Sequence, residues 1–131
     1  MKYMLMMHAP RGTGDWLINE WTPEEFTAHI DFMRNYNKDL TAAGEFVGAE
    51  GLSAPGEAKV VRAGKDGAPI TDGPFPEAKE FLAGYWVVEV DGPERAYELA
   101  AKASAAPGRG GAPLNMPIEV RQVMSGLPKD G

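Results

Sequence analysis

Asp72-Gly73-Pro74 breaks the chain where neither a strand nor an ordinary helix can continue. Proline gives up its N–H and fixes φ at about −65°, glycine takes positive φ, and the aspartate side chain caps its own turn. Phe75-Pro76-Glu77-Ala78-Lys79-Glu80 follows, so Thr71–Glu80 holds a turn, an aromatic and four charged side chains between two strand-like segments. A bend this rigid fixes the Asp72 carboxylate relative to Glu77, Lys79 and Glu80. It reads as a site or as a well-made corner.

Punctuation on either side of the bend sets the order of elements. Thr22-Pro23-Glu24-Glu25 is a helix start, with Thr22 as cap, Pro23 at the first helical position and Glu25 completing a capping box. Phe26, Ile30, Met33, Asn37 and Leu40 recur at helical spacing and Gly44 can close the helix, which predicts helix over residues 23–43. A shorter helix opens at Pro93, with Ala96, Leu99, Ala100 and Ala103 on one stripe. The glycine-rich run Pro107–Pro113 ends it in a loop expected to be mobile. Strands are predicted at Lys2–His8, Phe46–Glu50, Lys59–Arg62, Gly84–Val90 and Ile118–Met124, and Lys65-Asp66-Gly67 supplies a hairpin turn leading to Ile70-Thr71. This order predicts an α+β fold of ferredoxin-like βαββαβ type with an inserted hairpin. One domain is expected over residues 1–126, followed by a fraying tail at 127–131.

Two strands carry a further implication. Tyr3-Met4-Leu5-Met6-Met7 and Tyr85-Trp86-Val87-Val88 are apolar on both alternating faces, whereas two helices cover only one face of a sheet. The other face is expected to close on a second copy, giving a homodimer through the sheet faces. The alternative cover is the loop from Ala9 to Trp21, with its two tryptophans.

Composition narrows the partners and the chemistry. A net charge of −6 argues against nucleic acid or an anionic membrane surface. The first apolar run is too short for a leader, and nothing approaches the roughly 18 apolar residues of a membrane span. With no cysteine, thiolate ligands, disulfides and cysteine nucleophiles are excluded, which fits a cytoplasmic protein. The two histidines are far apart and form no His-x-x-x-His pattern, so no metal is expected. Gly108–Gly111 follows a helix instead of leading into one, which is not a phosphate cradle. Ser53, Ser104 and Ser125 lie in no nucleophile-elbow context. No cofactor is implied.

The residues resemble the YCII-related family, in the branch marked by an Asp-Gly-Pro-Phe (DGPF) motif. The resemblance rests on Met1-Lys2-Tyr3-Met4-Leu5, Ala43-Gly44-Glu45-Phe46-Val47 and Thr71-Asp72-Gly73-Pro74-Phe75 with Glu77-x-Lys79-Glu80. Gly84-Tyr85 and Ile118-Glu119-Val120-Arg121 complete it. It implies a dimeric α+β barrel, in which two ferredoxin-like units close their sheets on each other. It also implies small-molecule chemistry with a His–Asp pair, or a non-catalytic module linked to sigma factors and transcription regulation. The fold alone fixes no reaction.

Individual side chains then take candidate roles. His29, on the border of the first helix's apolar stripe, is placed to act as a general base near neutral pH. The alternative is a partly buried histidine bonded to backbone. Asp72 is the expected partner for a histidine, fixing its tautomer, or it caps its own turn. His8 ends the first strand near the pocket or facing solvent. Glu77 and Lys79 charge a pocket or form an ion-pair lattice with Glu80. Arg121 clamps a substrate carboxylate or pairs with Glu89. Tyr85, with Trp16, Trp21 and Trp86, suits a flat ligand, an aromatic core or a dimer contact.

Overall fold

The computed structural model describes residues 1–10, 20–53, 55–73 and 80–124. Its strands and helices, in chain order, are β1 (Lys2–Pro10), α1 (Pro23–Ala42), β2 (Phe46–Gly51), β3 (Val60–Ala63), β4 (Pro69–Asp72), β5 (Glu80–Glu89), α2 (Pro93–Ser104) and β6 (Ile118–Gln122). Short 3₁₀ turns occur at Pro55–Glu57 and Arg109–Gly111.

α1 starts as its side chains dictate. Thr22 Oγ1 accepts from the Glu25 backbone N–H at 3.1 Å, and the Glu25 carboxylate accepts from the Thr22 N–H at 2.8 Å. Two N–H groups without helical partners are thereby satisfied. The buried stripe of α1 is His29, Tyr36 and Leu40. Phe26, expected on that stripe, is instead 45% exposed. α2 begins with Pro93 and buries Ala96, Leu99, Ala100 and Ala103, whose small side chains bring the helix close to what it covers. Tyr36 Oη donates to the Leu99 carbonyl at 2.8 Å, tying the helices together. Burial raises the Tyr36 pKa, which keeps the phenol protonated for that bond.

Four strands form one sheet in the order β2-β5-β1-β6, with every neighbouring pair antiparallel. Two helices over an antiparallel sheet make a mixed α+β structure, compatible with a ferredoxin-like fold. Alternation along the strands separates two faces. Tyr3, Leu5, Met7, Ala9, Trp86 and Val88 are buried in one core with both helices. Leu5, Leu40 and Val88 are fully buried and contribute about 1.5–3 kcal/mol each through removal from water. The opposite face carries Met4, Met6 and His8 from β1 and Tyr85 and Val87 from β5, all half-buried.

β3 and β4 pair only with each other, and β4 and most of β3 are exposed. Gly67, with φ of 77°, closes the turn between them. β5 begins at Glu80 rather than Gly84, because β1 itself runs on to Pro10 and pairs with those extra residues. The register shifts between Met7 and His8, where Gly84 and Leu82 are the successive partners. No helix among the described residues is long and apolar enough to cross a membrane.

Candidate functional site

A cleft of about 360 Å³ opens between α1 and the β2–β5 edge of the sheet. Sequence explains why it is there. Gly51 and Gly84 stand opposite each other in the β2–β5 pairing, and Gly84 also pairs with buried Met7. Two adjacent residues without side chains leave the helix-facing layer unfilled at this point. A Cβ at Gly51 would meet nothing within 4 Å, whereas one at Gly84 would lie 2.8 Å from the Glu50 carbonyl oxygen. Met7, Ile30, Met33 and Trp86 supply much of the apolar wall. His29 and Asn37 supply the side-chain polar groups, while Glu50 and Tyr85 border the cleft from register positions whose side chains alternate to the other face.

His29 is 8% exposed and its ring is fixed from two sides. Nδ1 lies 2.9 Å from the Pro107 carbonyl oxygen. A carbonyl only accepts, so Nδ1 carries the proton and the neutral ring keeps its lone pair on Nε2. Trp21 packs edge-on against the imidazole, with ring centroids 5.2 Å apart. Nε2 has no protein hydrogen-bond partner among the described residues.

The acceptor on Pro107 is itself held in place. The loop after α2 folds back through a bridge between Pro107 and Pro113, and Gly108 N donates to the Ala112 carbonyl at 2.8 Å. The Glu25 carboxylate accepts from Gly110 N, and Glu20 pairs with Arg109 at 2.6 Å. The Gly110 and Thr22 N–H groups, with the charge of Arg109 nearby, hold the Glu25 carboxyl below its usual pKa of 4.5. The loop expected to be mobile is therefore tied to the start of α1. Deeper in the cleft, Trp86 Nε1 donates to Asn37 Oδ1 at 2.8 Å, and Trp86 stands edge-on to Tyr36 at 5.2 Å.

The other candidate residues are dispersed. Asp72 pairs with Arg62 at 3.1 Å, across the β3–β4 hairpin, and forms no hydrogen bond with either histidine among the described residues. His8 Nε2 donates to the Glu119 carboxylate at 3.0 Å on the opposite face of the sheet. Arg121 approaches Glu119 at 4.0 Å, while Glu89 pairs with the amino group of Met1. The expected pairing of Arg121 with Glu89 is thus replaced by two separate contacts. Glu77, Lys79 and Trp16 lie outside the described residues. Of the candidates among the described residues, the structure brings the His29 side chain to the cleft, while Tyr85 borders it from a strand position whose side chain lies on the opposite face.

Asn37, Glu50 and the glycine pair were not singled out from the sequence. Asn37 carried a signal, as the one polar residue among the apolar positions predicted for α1. Glu50 and Gly51 carried none, because only the register shows that Gly51 faces Gly84. Among the described residues, no group of three or more His, Asp or Glu side chains is placed to hold a metal ion.

Residues 1–111 match the family model of the YCII-related domain. No curated protein is significantly similar to the chain.

Proposed function

The chain belongs to the YCII-related domain family, and from that premise we propose that it acts on a small molecule in the cleft beside α1, with His29 as general base. The observation that carries this reading is the hydrogen bond from His29 Nδ1 to the Pro107 carbonyl. In the neutral form of the ring it leaves Nε2 as the unprotonated nitrogen, on a nearly buried side chain that lines a cavity of ligand size. The Pro107 carbonyl takes the tautomer-fixing role that the sequence suggested for Asp72. Asp72 then belongs to the corner it shares with Arg62. Tyr85, His8 and Arg121 belong to the opposite face of the sheet.

The Asp72-Gly73-Pro74-Phe75 run supports a reading of the chain as one of the DGPF branch of the family. β6 lies beyond the matched residues yet pairs with β1 from Met7 to Tyr3, which favours a single domain over residues 1–126. The sheet's helix-free face, with Met4, Met6 and Val87, favours a homodimer closing two ferredoxin-like sheets into an α+β barrel. The β3–β4 hairpin is then an insertion before β5.

Proton abstraction is detectable without knowing the net reaction. A panel of small ketones and lactones, neutral and amine-bearing, is incubated with the protein in D₂O and followed by proton NMR. The base takes a C–H proton adjacent to the carbonyl and the carbanion recovers deuterium from solvent. Protein-dependent exchange that disappears in His29→Ala, with the fold intact, is expected. Exchange at an unchanged rate in His29→Ala would remove His29 from the chemistry. Binding without exchange in the unmodified protein would make the cleft a binding module.

A further inference from the structure

Among the described residues, His29 is the one ionisable group that turns its side chain into the cleft. Glu50 and Tyr85 border it only from strand positions whose side chains alternate to the helix-free face. An ion of either sign would therefore lose water in the cleft and meet no opposite charge. The two polar side chains that do face it each have one capacity left. In its neutral form the His29 ring spends its N–H on Pro107, so Nε2 meets a ligand as an acceptor. Asn37 Oδ1 is taken by the Trp86 N–H at 2.8 Å, which fixes the amide and leaves its own N–H groups as donors. Those N–H groups have no protein partner among the described residues.

Spacing adds a length. His29, Met33 and Asn37 stand four residues apart on successive turns of α1, so an apolar side chain separates the acceptor from the donor. Eight residues of helix span about 12 Å. Across from this stripe lie Gly51 and Gly84, whose bare backbone makes a flat floor, with Met7 paired to Gly84 on the next strand. The space between that floor and the adaptable thioether of Met33 is shaped for a planar apolar body.

We propose that the cleft binds elongated, uncharged compounds with a planar apolar body and a polar group at each end. A hydroxyl or N–H at one end donates to His29 Nε2, and a carbonyl at the other accepts from the Asn37 amide. This rests on the reading of the cleft as the ligand site and adds the class of ligand, whether or not turnover follows.

The test is calorimetric titration of the full chain with four related probes at about pH 8, above the ordinary imidazole range. The compound 4-(4-hydroxyphenyl)butan-2-one carries both ends, 4-phenylbutan-2-one lacks the donor and 4-butylphenol lacks the acceptor. The fourth, 3-(4-hydroxyphenyl)propanoate, replaces the ketone with a charge. The hydroxyketone is expected to bind about tenfold more tightly than either single-ended probe, because each of those leaves a cleft group unpaired. The carboxylate should bind weakest. Asn37→Asp keeps an oxygen for the Trp86 N–H but loses the amide donors, and should erase the hydroxyketone's advantage over 4-butylphenol. His29→Phe should erase its advantage over 4-phenylbutan-2-one. Gly51→Leu, which places a side chain in open space within the cleft, should weaken every probe that binds. A single-ended probe or the carboxylate binding as tightly as the hydroxyketone, or an advantage that survives its substitution, overturns this ligand class. If Gly51→Leu still weakens that binding, the cleft stands as the site and only the ligand class falls. Failure of all four probes to bind overturns the proposal, and the exchange experiment with His29→Ala then decides the cleft reading independently.

Discussion

His29 owes its chemistry to a residue 78 positions away. Helical spacing alone makes it legible as a histidine that leans toward the sheet, because residues 29, 36 and 40 share one side of α1. The acceptor that fixes its tautomer was not legible, since no local pattern shows that the Pro107 carbonyl returns to α1. Asp72 illustrates the converse. Its turn chemistry is plain in the sequence, but Arg62 reaches it through the register of a hairpin that local spacing does not set. The bidentate Arg95–Glu45 pair, at 2.8 and 2.9 Å, supplies a residue-level prediction. Arg95 holds the Glu45 carboxyl below its ordinary pKa of 4.5. A lowered folded pKa contributes stability that is present above about pH 4.5 and is lost as pH falls through the folded value. Urea midpoints measured from pH 7 to pH 3 should therefore fall less steeply for Arg95→Met than for the unmodified protein. Parallel curves would mean that the pair contributes nothing to the acid limb.

At the level of elements, what can be read locally was read correctly. The capping box starts α1, Pro93 starts α2, and Lys65-Asp66-Gly67 lies in the connection between β3 and β4. Strand ends were less legible because a strand's length depends on its partner, and the early start of β5 follows from the extension of β1. The helix-free face of the sheet was visible as apolar alternation on both sides of β1 and β5. Met6 stands there between Tyr85 and Glu119 on the neighbouring strands. If this face closes on a second copy, sedimentation should give a dimer for the unmodified protein and a folded monomer for Met6→Lys. A lysine there would bring an ammonium group into a mostly apolar contact. A monomer at micromolar concentration without any substitution would contradict the sheet-to-sheet dimer.

For the whole molecule, the cleft exists because separate features coincide. α1 carries His29 and Asn37, the β2–β5 edge contributes two facing glycines, and the loop after α2 brings back the Pro107 carbonyl. The fold class follows from element order, so it was legible in the sequence. The cleft follows from register and loop return, so it was legible only in part, through His29. The central claim, that His29 presents an unprotonated Nε2 to the cleft, has a direct test with an internal comparison. His8 donates through Nε2 to Glu119, while His29 donates through Nδ1 to Pro107. Nitrogen-15 NMR of labelled protein, above the pH at which the rings are neutral and assigned with His8→Gln, should find the two histidines in opposite tautomers. His29 should carry its proton on Nδ1 and His8 on Nε2. A His29 ring protonated on Nε2 would leave no base facing the cleft and would contradict the account.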